Sequence, residues 1–261
     1  MQISPLPTEG LFVSDSPAFL SDDPQHDAAA AAIAAASRLM QRTMVPAKAP
    51  RIQGFEVAGG TMLEEDGRGN TTWDHFPMSD GRTAIIVLDV RSGGLPAAFP
   101  AGLVRAALRT AAEWTDDPAQ LLRSANHALS EMHVEGLDQF VECGVVVVAD
   151  EAVRWACAGR MPAGVLVRDG TLRQLASHGP PLGMMGGFEY GSDRISMGAG
   201  DTVLILSSGP IGLFRGAADL VAQVHGKPAG EVVKTVHRAI RKSQQGAGSP
   251  QEMSTIYLRR S

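Results

Sequence analysis

The segment TAIIVLDV, Thr83 to Val90, is aliphatic at every position except its first and its seventh. A strand with one wet face alternates apolar and polar residues, so an unbroken run of this kind belongs inside a sheet covered on both sides. Asp89 is its only charge and falls at the mouth of that buried strand. The reading extends outward from here. Upstream, Ser79-Asp80-Gly81-Arg82 is a turn, and the polar stretch with Gly67, Gly69 and Asn70 before Trp73 is expected to be a loop or irregular hairpin. A short strand is expected over Phe55–Ala58. Downstream, LPAAFPAGLVRAALRTAAEW places Val104, Leu108 and Ala111 on one helix face, with Arg105 and Arg109 four apart on another. A second helix is announced by Asp117 as cap and Pro118 as first helical residue.

The rest of the chain is strands, then helices, then one strand. Strands are expected over 140–150, 152–159, 163–169 and 171–176, with Asp169-Gly170 as a hairpin turn. Others follow over 193–197 and 202–207. The runs Val145–Ala149 and Val203–Leu206 are too aliphatic for a sheet edge. A short helix near Asp219–Val224 and a longer one from Ala229 to Lys242 precede a last strand, MSTIYLRR. Such segregation predicts an α+β fold, an α-β-β-α sandwich of two mainly antiparallel sheets flanked by helices, rather than a doubly wound nucleotide-binding sheet. Residues 1–26, with Pro5, Pro7, Pro17 and Pro24, are expected to form a flexible N-terminal arm. Residues 27–53 form an alanine-rich helix to about Met44 and a linker through Pro46 and Pro50, and 54–261 form the folded domain.

Composition narrows the function classes. The chain has 261 residues, 44% hydrophobic, 20% charged and 5% aromatic, the profile of a folded domain with an aliphatic core. A net charge of −5 gives no reason to expect nucleic-acid binding. Arg238, Arg241 and Lys242 read as a solvated helix face. Cys143 and Cys157 make neither a zinc knuckle nor a disulfide framework and are expected in the core. No apolar run reaches membrane length, and the opening MQISPLPTEG lacks a basic segment followed by an apolar one. Cytoplasmic residence without a membrane partner is the expectation.

Over roughly residues 35–260, a series of motifs stands in a specific order: WDHFPMSDGRTAIIVLDV, GLPAAFPAGLVRAALR, WACAGRMPAGVLVRDG, GPPLGM, GDTVLILSSG and MSTIYLRR. In order and spacing the chain resembles the bacterial PP2C-type, metal-dependent serine/threonine phosphatases of the stage II sporulation protein E and sigma-factor-regulator branch. The resemblance implies a site in which carboxylates at strand ends hold two Mg²⁺ or Mn²⁺ ions, which activate a water and stabilise the phosphoryl oxygens. Clustered anions are needed because each ion brings two positive charges.

Carried over position by position, that ligand set is depleted. The Asp of the family's Gly-Gly-Asp segment is matched by Thr71. Asp89 is retained in the next motif, followed by Arg91, Ser92 and Gly93. The Asp of the Thr-Asp-Gly turn is matched by Ser208, and the metal-binding Asp near the end by Gln251. One of four expected carboxylates survives. The expected relic pocket is thus Thr71, Asp89, Ser208 and Gln251, with Arg91 available to neutralise Asp89 if it turns inward. A shifted metal set using Asp74, Asp89 and Glu252 is the alternative; Asp74 in a local structural role is the competing reading. Ser92, Ser207, His75 and His178 show no nucleophile-and-base pattern.

Two functions follow as expectations. The first is a catalytically impaired pseudophosphatase, needing no cofactor, that binds a bacterial regulatory protein, phosphorylated or not, and forms a homodimer if its N-terminal helix self-associates. The alternative is a Mn²⁺- or Mg²⁺-dependent phosphoserine/phosphothreonine phosphatase with the shifted ligand set.

Overall fold

The computed structural model describes residues 24–62, 70–90, 95–132, 140–160, 163–207, 211–224, 226–243 and 252–261. In chain order the elements are α1 (Pro24–Met44), β1 (Phe55–Met62), β2 (Thr71–Pro77), β3 (Thr83–Val90), α2 (Leu95–Ala111), α3 (Pro118–Ser130), β4 (Val141–Ala149), β5 (Ala152–Ala158), β6 (Ala163–Arg168), β7 (Thr171–Gln174), β8 (Asp193–Ser196), β9 (Thr202–Leu206), α4 (Ile211–Gln223), α5 (Ala229–Ser243) and β10 (Met253–Arg260). One sheet has the order β1-β10-β9-β6-β7 and the other β2-β3-β4-β5-β8. Every pairing in both is antiparallel. The α-β-β-α sandwich expected from the order of elements is the architecture observed.

Side-chain alternation divides the interior into three apolar layers. Ile85 and Val87 of β3 face the other sheet, where Trp73, Val146, Trp155, Ile205 and Ile256 meet. Ile86 and Leu88, one residue out of phase, face α2 and α3 and pack with Leu108 and Leu122. The first sheet is covered on its outer side by α4 and α5, with Leu204 and Tyr257 against Val221 and Val236. Both faces of β3 are therefore dry, which accounts for its unbroken aliphatic run. The sheets approach closely at β1. A Cβ on Gly59 would lie 2.7 Å from two indole atoms of Trp73 and 2.8 Å from Cδ1 of Ile256.

Several local signals are realised as read. Asp117 caps α3, its carboxylate accepting the N–H of Ala119 at 3.2 Å. Asp169 and Gly170 turn the β6–β7 hairpin with φ of 48° and 73°, the doubly positive pattern that matches strand twist. Cys143 and Cys157 are buried free thiols.

One expectation is corrected. Gly67 and Gly69 of the expected loop or irregular hairpin lie outside the described residues, but from Thr71 on the segment is β2, paired in register with β3 from Thr71↔Asp89 to Pro77↔Thr83. Its polar letters conceal a strand whose order comes from its neighbour. α4 also starts earlier than its short apolar signature suggested. The expected N-terminal arm lies outside the described residues up to position 23.

Candidate functional site

The polar side chains of interest collect at one end of the space between the sheets. Asp89 has the same parity as Ile85 and Val87 and so faces the other sheet. Directly beside it on β4 stands Glu142, its cross-strand partner, and on the other flank Thr71 of β2. From the opposite sheet, Glu252 immediately precedes β10. Ser254 lies opposite Thr61, their hydroxyls 2.8 Å apart, and its N–H donates to Ser207 Oγ at 2.8 Å.

Asn70 ties the carboxylates of the two sheets together. Its Nδ2 donates to Asp89 Oδ1 at 3.0 Å and to the carbonyl of Val90 at 2.9 Å, while its backbone N–H donates to Glu252 Oε2 at 3.1 Å. Glu142 accepts the N–H of Arg160 at 3.1 Å. Its side chain occupies the space over Gly159, where an added Cβ would come within 2.6 Å of Glu142 Cγ. Gly159 has a φ of 88°. Glycine is thus required there both by backbone and by room.

Burial, and then the charges of Glu142 and Glu252, push Asp89 up to about 8. Desolvation and like charge both disfavour its ionised form. Neutral donors satisfy part of its hydrogen-bonding capacity but bring no counter-charge.

Thr71 and Asp74 do not supply that deficit. The Thr71 hydroxyl donates to the carbonyl of Leu88 at 3.0 Å. Asp74, three residues along β2, belongs to the opposite face, toward α2. There its Oδ2 accepts from Nε and Nη2 of Arg105 at 3.0 and 2.8 Å and from Nε and Nη2 of Arg109 at 3.1 and 2.7 Å. Oδ1 accepts the N–H of His75 at 2.8 Å. Asp74 is buried and clamped by two guanidiniums one helical turn apart. The alternative set of Asp74, Asp89 and Glu252 is therefore not assembled: two of its members meet and the third is committed on the other side of the sheet.

Ser208, Gln251, Arg91, Ser92 and Gly93, with Glu64, Glu65 and Asp66, lie outside the described residues. His75 Nε2 contacts the Lys48 carbonyl at 3.0 Å. His178 accepts the Cys157 N–H through Nδ1 at 3.2 Å and faces Asp193 at 3.4 Å. Both are loop-fixing contacts. Among the described residues, no group of three His, Cys, Asp or Glu side chains is arranged to hold a metal ion. Glu142 and Glu252 are close enough to raise the cost of ionising Asp89 without the three converging as ligands. Metal-dependent hydrolysis needs a compact anionic cage around two cations, and the described side chains do not fit one.

The model of the family described as stage II sporulation protein E (SpoIIE) matches residues 79–260. This chain belongs to the SpoIIE family. No curated protein sequence matches it. Among solved structures, it is similar to the SiaA-PP2C domain of Pseudomonas aeruginosa, with 19% identity, a TM-score of 0.71, and coverage of 91% of this chain and 99% of that one. The PP2C phosphatase domain and regulatory-domain fragment of SpoIIE from Bacillus subtilis matches with 14% identity and a TM-score of 0.64, over 81% of this chain and 64% of that one. A serine/threonine phosphatase of S. agalactiae matches with 13% identity and a TM-score of 0.63, over 79% and 100%. At these identities the likeness speaks for a shared PP2C fold.

Within this SpoIIE-family fold, Glu142 and the bridging role of Asn70 were not singled out by sequence reasoning. Glu142 could have been: it is the one charge near the start of a buried strand, in register with Asp89.

The raised Asp89 yields a signed prediction. In the unfolded chain its carboxyl titrates near 3.8 and in the folded protein at about 8. The folded state thus binds more protons across that window, and Asp89 makes stability fall as pH rises from about 4 toward 8. Asp89→Asn removes this slope and is expected to raise stability at pH 8 by at least about 1 kcal/mol. Urea melts of both proteins across that range measure it. An unchanged slope in the variant would show that Asp89 ionises freely.

Proposed function

We propose that this chain is a PP2C-fold pseudophosphatase that acts as a regulatory protein-binding module in the cytoplasm. The observation that carries the reading is the way the site's polar groups are satisfied. Asn70 bridges Asp89 and Glu252 with neutral donors, and Asp74 is spent on Arg105 and Arg109. The two sheets that would aim such ligands are kept among the described residues, and in this reading the surface around the site serves protein recognition.

The alternative, a phosphatase with a shifted metal set, loses Asp74 to the arginine clamp. No helix among the described residues is long and apolar enough to cross a membrane, which leaves α1 to a role in packing or association. Ile33, Leu39 and Met40 of α1 are 57%, 65% and 42% exposed, an apolar surface that favours pairing with a second copy.

Two outcomes are expected. With Mn²⁺ or Mg²⁺, the purified protein releases no phosphate from phosphoserine peptides above the rate of Asp89→Ala; metal-dependent turnover abolished by that substitution would overturn the reading. In light scattering, the full chain has the mass of a dimer and Ile33→Glu/Met40→Glu that of a monomer. A monomeric parent protein would defeat self-association through α1.

A further inference from the structure

We infer that the acidic segment preceding α1, residues 1–23, docks on the basic outer face of α5 in the same chain. The contact lies away from the candidate site and stands whether or not the chain hydrolyses phosphate.

The charges of α5 form one stripe. Val232, Val233, Val236 and Ile240 are buried against the first sheet, so helical spacing turns Glu231, Lys234, Arg238, Arg241 and Lys242 outward. All five are exposed, as is Lys227 just before the helix. Among the described residues, the only ion pair in this group joins Lys234 to Glu231, at 3.0 Å. The hydrogen bond from Lys234 holds the Glu231 carboxyl below its ordinary value, and the charges of Arg238 and Lys227 add to the effect. Five cations therefore face a single anion. On α4, which packs beside α5, Asp219 is an exposed acid, and residues 244–251 bring no charge.

Helix chemistry accounts for only part of the stripe. Arg241 and Lys242 suit the negative end of α5. Lys227 stands before its positive end, and Lys234 and Arg238 lie in mid-helix, so these three gain nothing from the dipole.

The complement lies in the same sequence. Glu9, Asp15, Asp22, Asp23 and Asp27 all precede the first basic residue, Arg38. Five of the 28 acidic residues and none of the 23 basic ones thus fall in the first 27 positions, and because the net charge is −5, the remainder of the chain is neutral overall. Segments of one charge sign outside a folded domain commonly act as interaction tails.

Length permits the contact. Fully extended, the 23 residues before α1 reach about 75 Å, whereas four packed layers at about 10 Å each are roughly 40 Å deep. The segment can therefore pass from α1, which packs on α2, round the sandwich to α5. Asp15 to Asp23 spans about 26 Å when extended, against about 17 Å along α5 from Glu231 to Lys242, so its acids can cover the whole stripe. Exposed ion pairs are individually weak, but tethering supplies an effective concentration of about a millimolar. A polyanion arriving from solution must displace a partner that is always present.

The test is zero-length carbodiimide cross-linking of the full chain, read by peptide mass spectrometry in an equal mixture of unlabelled and nitrogen-15-labelled protein. At low salt, cross-links from Lys234 or Lys242 to Glu9, Asp15, Asp22 or Asp23 are expected within single-isotope products, and about 1 M NaCl abolishes them. Arg238→Glu/Arg241→Glu, which keeps every lysine, should reduce them about fivefold, and Arg123→Glu on α3 should leave them unchanged. Matched thermal melts verify that the variants are folded. Absence of these cross-links in the unsubstituted protein overturns the contact and leaves the stripe to a polyanion from solution. Cross-links that join the two isotopes, or that persist undiminished in the α5 variant, overturn it as well. Metal-dependent turnover would overturn the pseudophosphatase reading and leave this result standing.

Discussion

Three carboxylates held close together at one end of the space between the sheets govern this site. Asp89 and Glu142 are carried to one end of the space between the sheets by the largely aliphatic, buried strands β3 and β4, and Glu252 arrives there just before β10. The apolar layers fix the strands, and the strands leave the carboxylates no freedom to separate. In a site built for two divalent ions the cations would absorb such repulsion. Here hydrogen bonds from Asn70 and Arg160 are the visible compensation, and Asp89 responds by holding its proton.

A second carboxylate, Asp74, is committed to a structural contact instead. Asp74 lies in the same short segment as Thr71, yet strand alternation turns it toward α2, where Arg105 and Arg109 close on one of its oxygens. Removing the arginines would leave the buried Asp74 charge unpaired. The clamp also anchors the helix that follows Asp89 in the chain. The orientation of α2 over the sheet and the unavailability of Asp74 for metal are thus two consequences of one contact.

Much of the fold was legible in the letters, for identifiable reasons. β3 declared itself because both faces are dry, α3 because Asp117 and Pro118 form a complete start signal, and the β6–β7 hairpin because Asp-Gly tolerates positive φ. β2 was hidden: Thr-Thr-Trp-Asp-His-Phe-Pro has no clean alternation, since Asp74 is buried by arginines that arrive from thirty or more residues downstream. The loss of acidic ligands at Thr71 was readable by motif alone. Glu142 and Asn70 became meaningful only when registers were known, because their roles depend on contacts between strands of different sheets or distant segments.

The central claim concerns metal, and a crystal grown with excess Mn²⁺ and measured at the manganese absorption edge addresses it directly. The account predicts no anomalous peak of full occupancy between the sheets, with Asn70 still bonded to Asp89 and Glu252. Two strong peaks about 4 Å apart, coordinated by Asp89 with Asn70 displaced, would contradict it.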